Sequence, residues 1–353
     1  MMQISPETQL FIREHSSDDV RVLALQAKKY PDIDMPTAIT QIAGRKVAAE
    51  KIPSWWEIEK IWYPKHLSLE QCSSEITARY KARLLQGDSL TDLTGGFGID
   101  CSFLATGFKS ATYVERQEEL CEIAAHNFPV LNLNHINIKN EDGVTYLQVM
   151  SPVDCLFLDP ARRNEHGGKT VAISDCEPNV AELEELLLQK ANRVMIKLSP
   201  MLDLSLALKE LKQTQEVHIL SVNNECKELL ILLGQTSPAE ISIHCVNLFT
   251  KGTQKEQHFV FTREQEQCSE CTYTDSLETY LYEPNASLLK AGAFRSIAAA
   301  YPVRKLHPNS HLYTSDTFIE NFPGRIFRIV NQCSFNKKEV KENLADLKKA
   351  NVT

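Results

Sequence analysis

Four short stretches carry side chains that could do chemistry, and each stands at the end of an expected strand. Asp159-Pro160-Ala161-Arg162 closes the apolar run Val153–Leu158. A carboxylate there can hold a polar hydrogen of a substrate. Proline fixes φ and removes a donor, which aims the neighbouring carbonyls at whatever lies beyond. Asp92-Leu93-Thr94-Gly95-Gly96-Phe97-Gly98 places glycines where a strand would turn into a helix, so that backbone amides can come close to a ligand. Read as a dinucleotide fingerprint, Gly96-x-Gly98 would need glycine or alanine at position 101, where Cys101 stands, and that argues against a pyrophosphate ligand. Glu115 ends the next apolar run and could accept both hydroxyls of a ribose; the lesser reading is a solvated strand-end acid. Asp142 precedes Gly143 and could accept a hydrogen bond from a base amino group, or serve as a turn residue. Arg162 and Arg163 could stack on a base or hold a phosphate, or be ordinary surface charges. Lys197 closes a later apolar run and is placed to line the same cleft.

Other candidates lead nowhere in the sequence. Cys268-Ser269-Glu270-Cys271 has the spacing of half a zinc site, but no second close pair accompanies it, and no metal is expected. The histidines form no triad-like pattern.

The elements that must position these residues alternate. From Ser89 to Gly234, short apolar runs alternate with helical spacing, which predicts a parallel sheet covered on both faces. Strands are expected at Ser89–Leu93, Ala111–Val114, Ile136–Ile138, Val153–Leu158 and Arg193–Leu198. Val217–Val222 and Glu228–Leu233, separated by a short polar turn, must be antiparallel. All four signals then lie at carboxyl ends of strands, where open α/β sheets bind ligands. Residues 1–85 read as helical, with apolar periodicity over Val20–Lys29 and Ala38–Lys51 and a further helix at Ser74–Lys81. Trp55, Trp56 and Trp62 crowd into one stretch, as an aromatic staple of that region or a surface on which bases stack. After Gly234 the chain is β-rich, with paired strands expected at Ile241–Phe249 and His258–Thr262, and it ends in a charged helical run from Lys337.

Composition sets the class. The chain has 353 residues, is 43% hydrophobic and 24% charged, and suits two or three soluble domains. It has no apolar run long enough to span a bilayer, no secretory signal, and ten scattered cysteines, so a cytoplasmic location with free thiols is expected. The net charge is −8, yet from Asn285 onward eleven Lys and Arg face five acids, a local balance of +6. Such a tail could attract phosphate, and Lys290 and Arg295 are its candidate contacts.

Residues 89–234 resemble the class I S-adenosylmethionine-dependent methyltransferases, in which the Asp92–Gly98 stretch would be the cofactor loop (Asp92, Thr94, Gly95, Gly96, Phe97, Gly98). The resemblance makes Glu115 the ribose acid, Asp142 the adenine contact, and Asp159, Pro160 and Arg162 the catalytic motif. An antiparallel hairpin closing the sheet fits that class better than a plain dinucleotide-binding fold. The whole chain is similar to a bacterial subgroup in which a helical region (1–85) precedes the methyltransferase (86–236). A ferredoxin-like module (237–282) and a THUMP-like module (283–353) follow. Tyr282-Glu283-Pro284-Asn285-Ala286-Ser287-Leu288-Leu289-Lys290-Ala291-Gly292 carries this second similarity, and the last strand of that module is expected to be absent. THUMP modules bind structured RNA, so the resemblance implies methylation of a base nitrogen in rRNA or tRNA, with Arg163, Lys197, Lys290 and Arg295 on the substrate. Relatives that methylate amino groups place an aromatic where Arg162 stands. The alternative is an RNA-binding or assembly factor that keeps the fold without the activity; an NAD-linked oxidoreductase is disfavoured by Cys101. The Asp-Pro-x-Arg spelling is also similar to uridine C5-methyltransferases, but Ile196-Lys197-Leu198-Ser199-Pro200 supplies no thiol nucleophile.

Overall fold

A computed structural model describes residues 4–162, 172–236, 238–334 and 336–345. Six helices open the chain: α1 (Pro6–Glu14), α2 (Val20–Leu25), α3 (Met35–Lys51), α4 (Pro53–Trp56), α5 (His66–Gln71) and α6 (Glu75–Ala82). Side-chain oxygens start the first three, where Ser5, Asp19 and Asp34 accept from backbone amides of the first turn. The helical reading of this region is what the structure shows.

Strand and helix then alternate through β1 (Ser89–Asp92), α7 (Ile99–Ala105), β2 (Ser110–Glu115), α8 (Glu118–Val130), β3 (Ile136–Asn140), α9 (Gly143–Val149) and β4 (Val153–Leu158). A small ribbon pairs β5 (Ala161–Arg162) with β6 (Cys176–Glu177). After α10 (Val180–Lys190), β7 (Ala191–Leu198) and α11 (Leu204–Glu210) come four long strands. These are β8 (Thr214–Val222), β9 (Glu225–Gly234), β10 (Ser242–Leu248) and β11 (Glu256–Thr262). The nine-stranded sheet runs β11-β10-β8-β9-β7-β4-β1-β2-β3. β9 is antiparallel to both β7 and β8, while β1, β2, β3, β4 and β7 are parallel neighbours. The order reverses beside β1, so its carboxyl end opens a crevice there.

The segment read as a separate module from residue 237 is divided differently. β10 pairs in parallel with β8 over seven residues, and β11 follows antiparallel, so both extend the large sheet. Their alternation of apolar and polar residues correctly announces strands, but alternation does not say which sheet they join. The chain then forms α12 (Arg263–Cys268), β12 (Tyr280–Pro284), α13 (Ala286–Ala291), α14 (Ser296–Ala300), β13 (Arg304–Lys305), β14 (Tyr313–Ser315), β15 (Gly324–Arg328) and α15 (Lys337–Asn343). A second sheet has the order β13-β14-β12-β15. Its Tyr282 and Tyr313, with Phe322 just before β15 and Leu288 of α13, share one apolar core with Ile219, Ile231 and Ile243 of the large sheet. Among the described residues, no helix is long and apolar enough to cross a membrane.

Candidate functional site

The ends of β1, β2 and β4 meet around one open cavity of about 2190 Å³. Thr94 ties two of these ends together, its Oγ1 accepting the Asp159 N–H at 2.6 Å. Glu115 binds the glycine loop from the end of β2: Oε2 accepts the Gly96 N–H at 2.9 Å and Oε1 the Gln117 N–H at 2.8 Å. Gly96 and Gly98 have φ of +53° and +86°, backbone that favours glycine. A Cβ on Gly95 would lie 2.3 Å from the ring of Tyr113, whose hydroxyl donates to the Gly96 carbonyl at 2.5 Å.

The loop works otherwise than its glycines suggest. The amides of Thr94, Gly95, Gly96 and Gly98 donate to the Asp92 carboxylate, the Val114 carbonyl, Glu115 and the Gly95 carbonyl. They are not a free nest for an anion, and what the glycines provide is a low profile. That weakens the dinucleotide reading further, and Cys101 is fully buried in α7. Phe97 packs edge-on against Trp55 at 5.2 Å and near Tyr63, so its ring fastens the loop to the N-terminal helices. Trp62 stacks on His126 at 3.7 Å. Two of the three tryptophans therefore staple the N-terminal region to the glycine loop and to α8, and of the three only Trp56 is exposed. Trp55→Ala should cost about 3–5 kcal/mol, read by thermal unfolding. Trp56→Ala should cost less than about 1 kcal/mol; equal losses would contradict the stapling role.

Asp92 is buried, and its Oδ2 has no hydrogen-bond partner. Burial holds its carboxyl well above the usual carboxylate range. Asp142 caps α9, its Oδ1 accepting from the amides of Val144 and Thr145, and it lies on the cavity wall. Pro160 and Ala161 also line the cavity. Arg162 belongs to the β5–β6 ribbon, and Arg163 lies outside the described residues. Lys290 and Arg295 are not on the cavity wall. Lys290 donates to the Leu202 carbonyl at 2.6 Å, and Arg295 is an exposed residue beside α12.

Lys197 is not a solvated cleft lysine. It is 7% exposed and contacts Asp159 at 2.5 Å, Asp100 at 3.2 Å and the Ser73 hydroxyl at 3.0 Å. Lys81, fully buried, contacts Asp100 at 2.9 Å, Glu228 at 2.5 Å and Ser73 at 2.8 Å. Burial disfavours the charge of Lys197, but Asp100, Asp159 and Glu228 outweigh it and hold the ammonium well above the lysine range. Burial likewise opposes Asp100, which Lys197 and Lys81 together keep well below the carboxylate range. Asp159 keeps 37% of its side chain open to the cavity. Desolvation of the remainder raises its carboxyl, Lys197 pulls it down, and Asp100 pushes it up again. Of the two aspartates, Asp100 is the one both lysines hold as an anion, and Asp159 is the one open to the cavity. Lys81, Asp100, Ser73 and Glu228 escaped the sequence reading because nothing in their spacing joins them.

The chain is similar over 98% of its length to a protein of Porphyromonas gingivalis W83 described as a "putative methyltransferase", covering 87% of that chain at 34% identity and a TM-score of 0.84. The chain belongs to the class I methyltransferases. A ferredoxin-like domain family matches residues 280–323, which contain β12 to β14. An rRNA methylase of Streptococcus thermophilus aligns with 45% of this methyltransferase and 93% of its own chain (14% identity, TM-score 0.33). A SAM-dependent O-methyltransferase of Thermotoga maritima aligns with 48% and 68% (16% identity, TM-score 0.34). No curated protein matches the chain.

Proposed function

We propose that this methyltransferase transfers the methyl group of S-adenosylmethionine to a base nitrogen of structured RNA. The observation that carries the reading is that Glu115, the glycine loop and Asp159 line one continuous cavity. At about 2190 Å³ it exceeds the roughly 300–1,000 Å³ of a site built for one small molecule. That volume leaves room for a nucleoside cofactor beside a second flat group. The net +6 of the chain from Asn285 onward supports a polyanionic partner.

The residues suit the cofactor. Glu115 keeps unused lone pairs on both oxygens for ribose hydroxyls, and Asp142 can accept from the adenine amino group. The unpartnered Oδ2 of Asp92, beside the loop, suits an ammonium donor. When bound, S-adenosylmethionine supplies an electrophilic methyl group on a sulfonium. Asp159 and the Pro160 carbonyl would accept the two hydrogens of an exocyclic amine and turn its nitrogen toward the methyl. Lys197 holds one oxygen of Asp159, which fixes the other toward the cavity. An amine that gains a methyl group must lose a proton, and Asp159 is the base within reach.

Mass spectrometry of RNA nucleosides from cells with and without the gene tests the proposal. One methylated nucleoside should disappear with the gene and return with the unmodified chain. An unchanged profile sinks the RNA assignment, and cofactor binding without transfer to any RNA would favour the assembly-factor reading.

A further inference from the structure

Outside the cavity, β8 and β10 bring together Glu216, His218 and His244, with one ligand atom of each within 4.8 Å of the others. The strand period puts Glu216 and His218 on one face, and the parallel register sets His244 directly beside His218. We propose that Glu216, His218 and His244 bind a divalent transition-metal ion of the zinc class, with His258 of β11 at the solvent rim of the site.

The donor set of imidazoles and one carboxylate suits such an ion. In a tetrahedral site with ligand bonds of about 2.0–2.1 Å, neighbouring ligand atoms lie about 3.3 Å apart. Glu216 Oε2 is 3.2 Å from His218 Nε2, and His244 Nδ1 is 3.1 Å from His258 Nε2. The surrounding groups orient the ligands. Tyr80 Oη lies 2.8 Å from His218 Nδ1, so a proton on Nδ1 donated to the tyrosine leaves the Nε2 lone pair facing Glu216. Arg193 donates to Glu216 Oε1 at 2.8 Å and leaves Oε2 for the ion. His218 is buried at 2% exposure, Glu216 and His244 are half-buried and His258 is exposed, which gives the ion a way in. The rings of His218 and His244 stack at 4.3 Å with 16° between their planes. Two parallel rings cannot share one in-plane ion, so binding turns the half-exposed His244 about its side-chain bonds while Tyr80 keeps His218 in place.

None of these four residues lines the large cavity, so the ion would clamp β8 to β10 rather than take part in methyl transfer. The test uses the full chain, stripped with a chelator and titrated with Zn²⁺ by calorimetry and with Co²⁺ by visible absorption. One ion per chain is expected, with a nitrogen-ligand Co²⁺ spectrum and a raised unfolding midpoint. His244→Gln and Glu216→Gln should each weaken binding at least about tenfold, whereas a Cys268→Ser, Cys271→Ser double variant should bind as the unmodified chain does. A featureless Co²⁺ titration of the unmodified chain overturns the proposal whatever the variants do. So does Zn²⁺ binding that survives His244→Gln in a variant with an unchanged circular dichroism spectrum.

Discussion

Asp159→Ala is expected to lower methyl transfer by at least about 10²–10³-fold, the effect of removing one preorganised polar contact to the reacting group. S-adenosylmethionine affinity should change little. The two effects should separate because Asp159 follows β4, while Glu115 closes the end of β2 and braces the loop. The fold should survive, since Lys197 still contacts Asp100 and Ser73 after Asp159 is cut back. Glu115→Ala should do the reverse, raising the cofactor dissociation constant by about 10–100-fold for the loss of charge-assisted hydrogen bonds worth about 1.5–3 kcal/mol each. Single-turnover transfer with calorimetric cofactor titration reads both. If Asp159→Ala transfers at the normal rate, the assignment of the Asp-Pro-Ala-Arg motif is lost. If it loses cofactor and transfer in step, Asp159 is a binding residue and not the group that presents the amine.

Asp92, Glu115, Asp142 and Asp159 could be found in the sequence because each ends or follows an expected strand, and strand ends in a parallel sheet face one crevice. Lys81, Asp100 and Glu228 could not. Lys81 and Glu228 stand 147 residues apart, and a lysine on a helix or a glutamate early in a strand reads as a solvated charge until the fold closes over it. Asp100 sits in the first turn of α7, where an acid needs no explanation beyond the helix dipole. Glu216, His218 and His244 were hidden for a related reason, since β10 was expected in a separate module and only its register against β8 puts His244 beside His218. The glycine loop shows the converse, a motif that was visible while its hydrogen bonding was not. Which acceptors take up its amides depends on Glu115 and Val114, which arrive from another strand.

Lys81→Met should destabilise the protein by about 3–5 kcal/mol, because it leaves buried acids without one of their two cations. Lys81 is fully buried among Asp100, Glu228 and Ser73, and methionine fills a similar volume, so the loss would come from charge and not from a cavity. A drop of roughly 10 °C in the unfolding midpoint is the corresponding readout. The pH dependence identifies the cause. The folded-state pKa of Asp100 is held below its unfolded value of about 3.9. Its contribution is therefore fully present above that value and is lost as the pH falls through the folded one. In Lys81→Met the folded value of Asp100 rises, since one cation is gone, and its carboxylate takes up a proton at higher pH. The penalty of the substitution should thus be full at neutral pH and shrink on approach to about pH 4, where a protonated Asp100 no longer needs the lysine. A penalty that stays constant between pH 7 and pH 4 would mean that Lys81 acts through packing alone. The ion-pair account of how α6, α7 and β9 are held around the crevice would then fail.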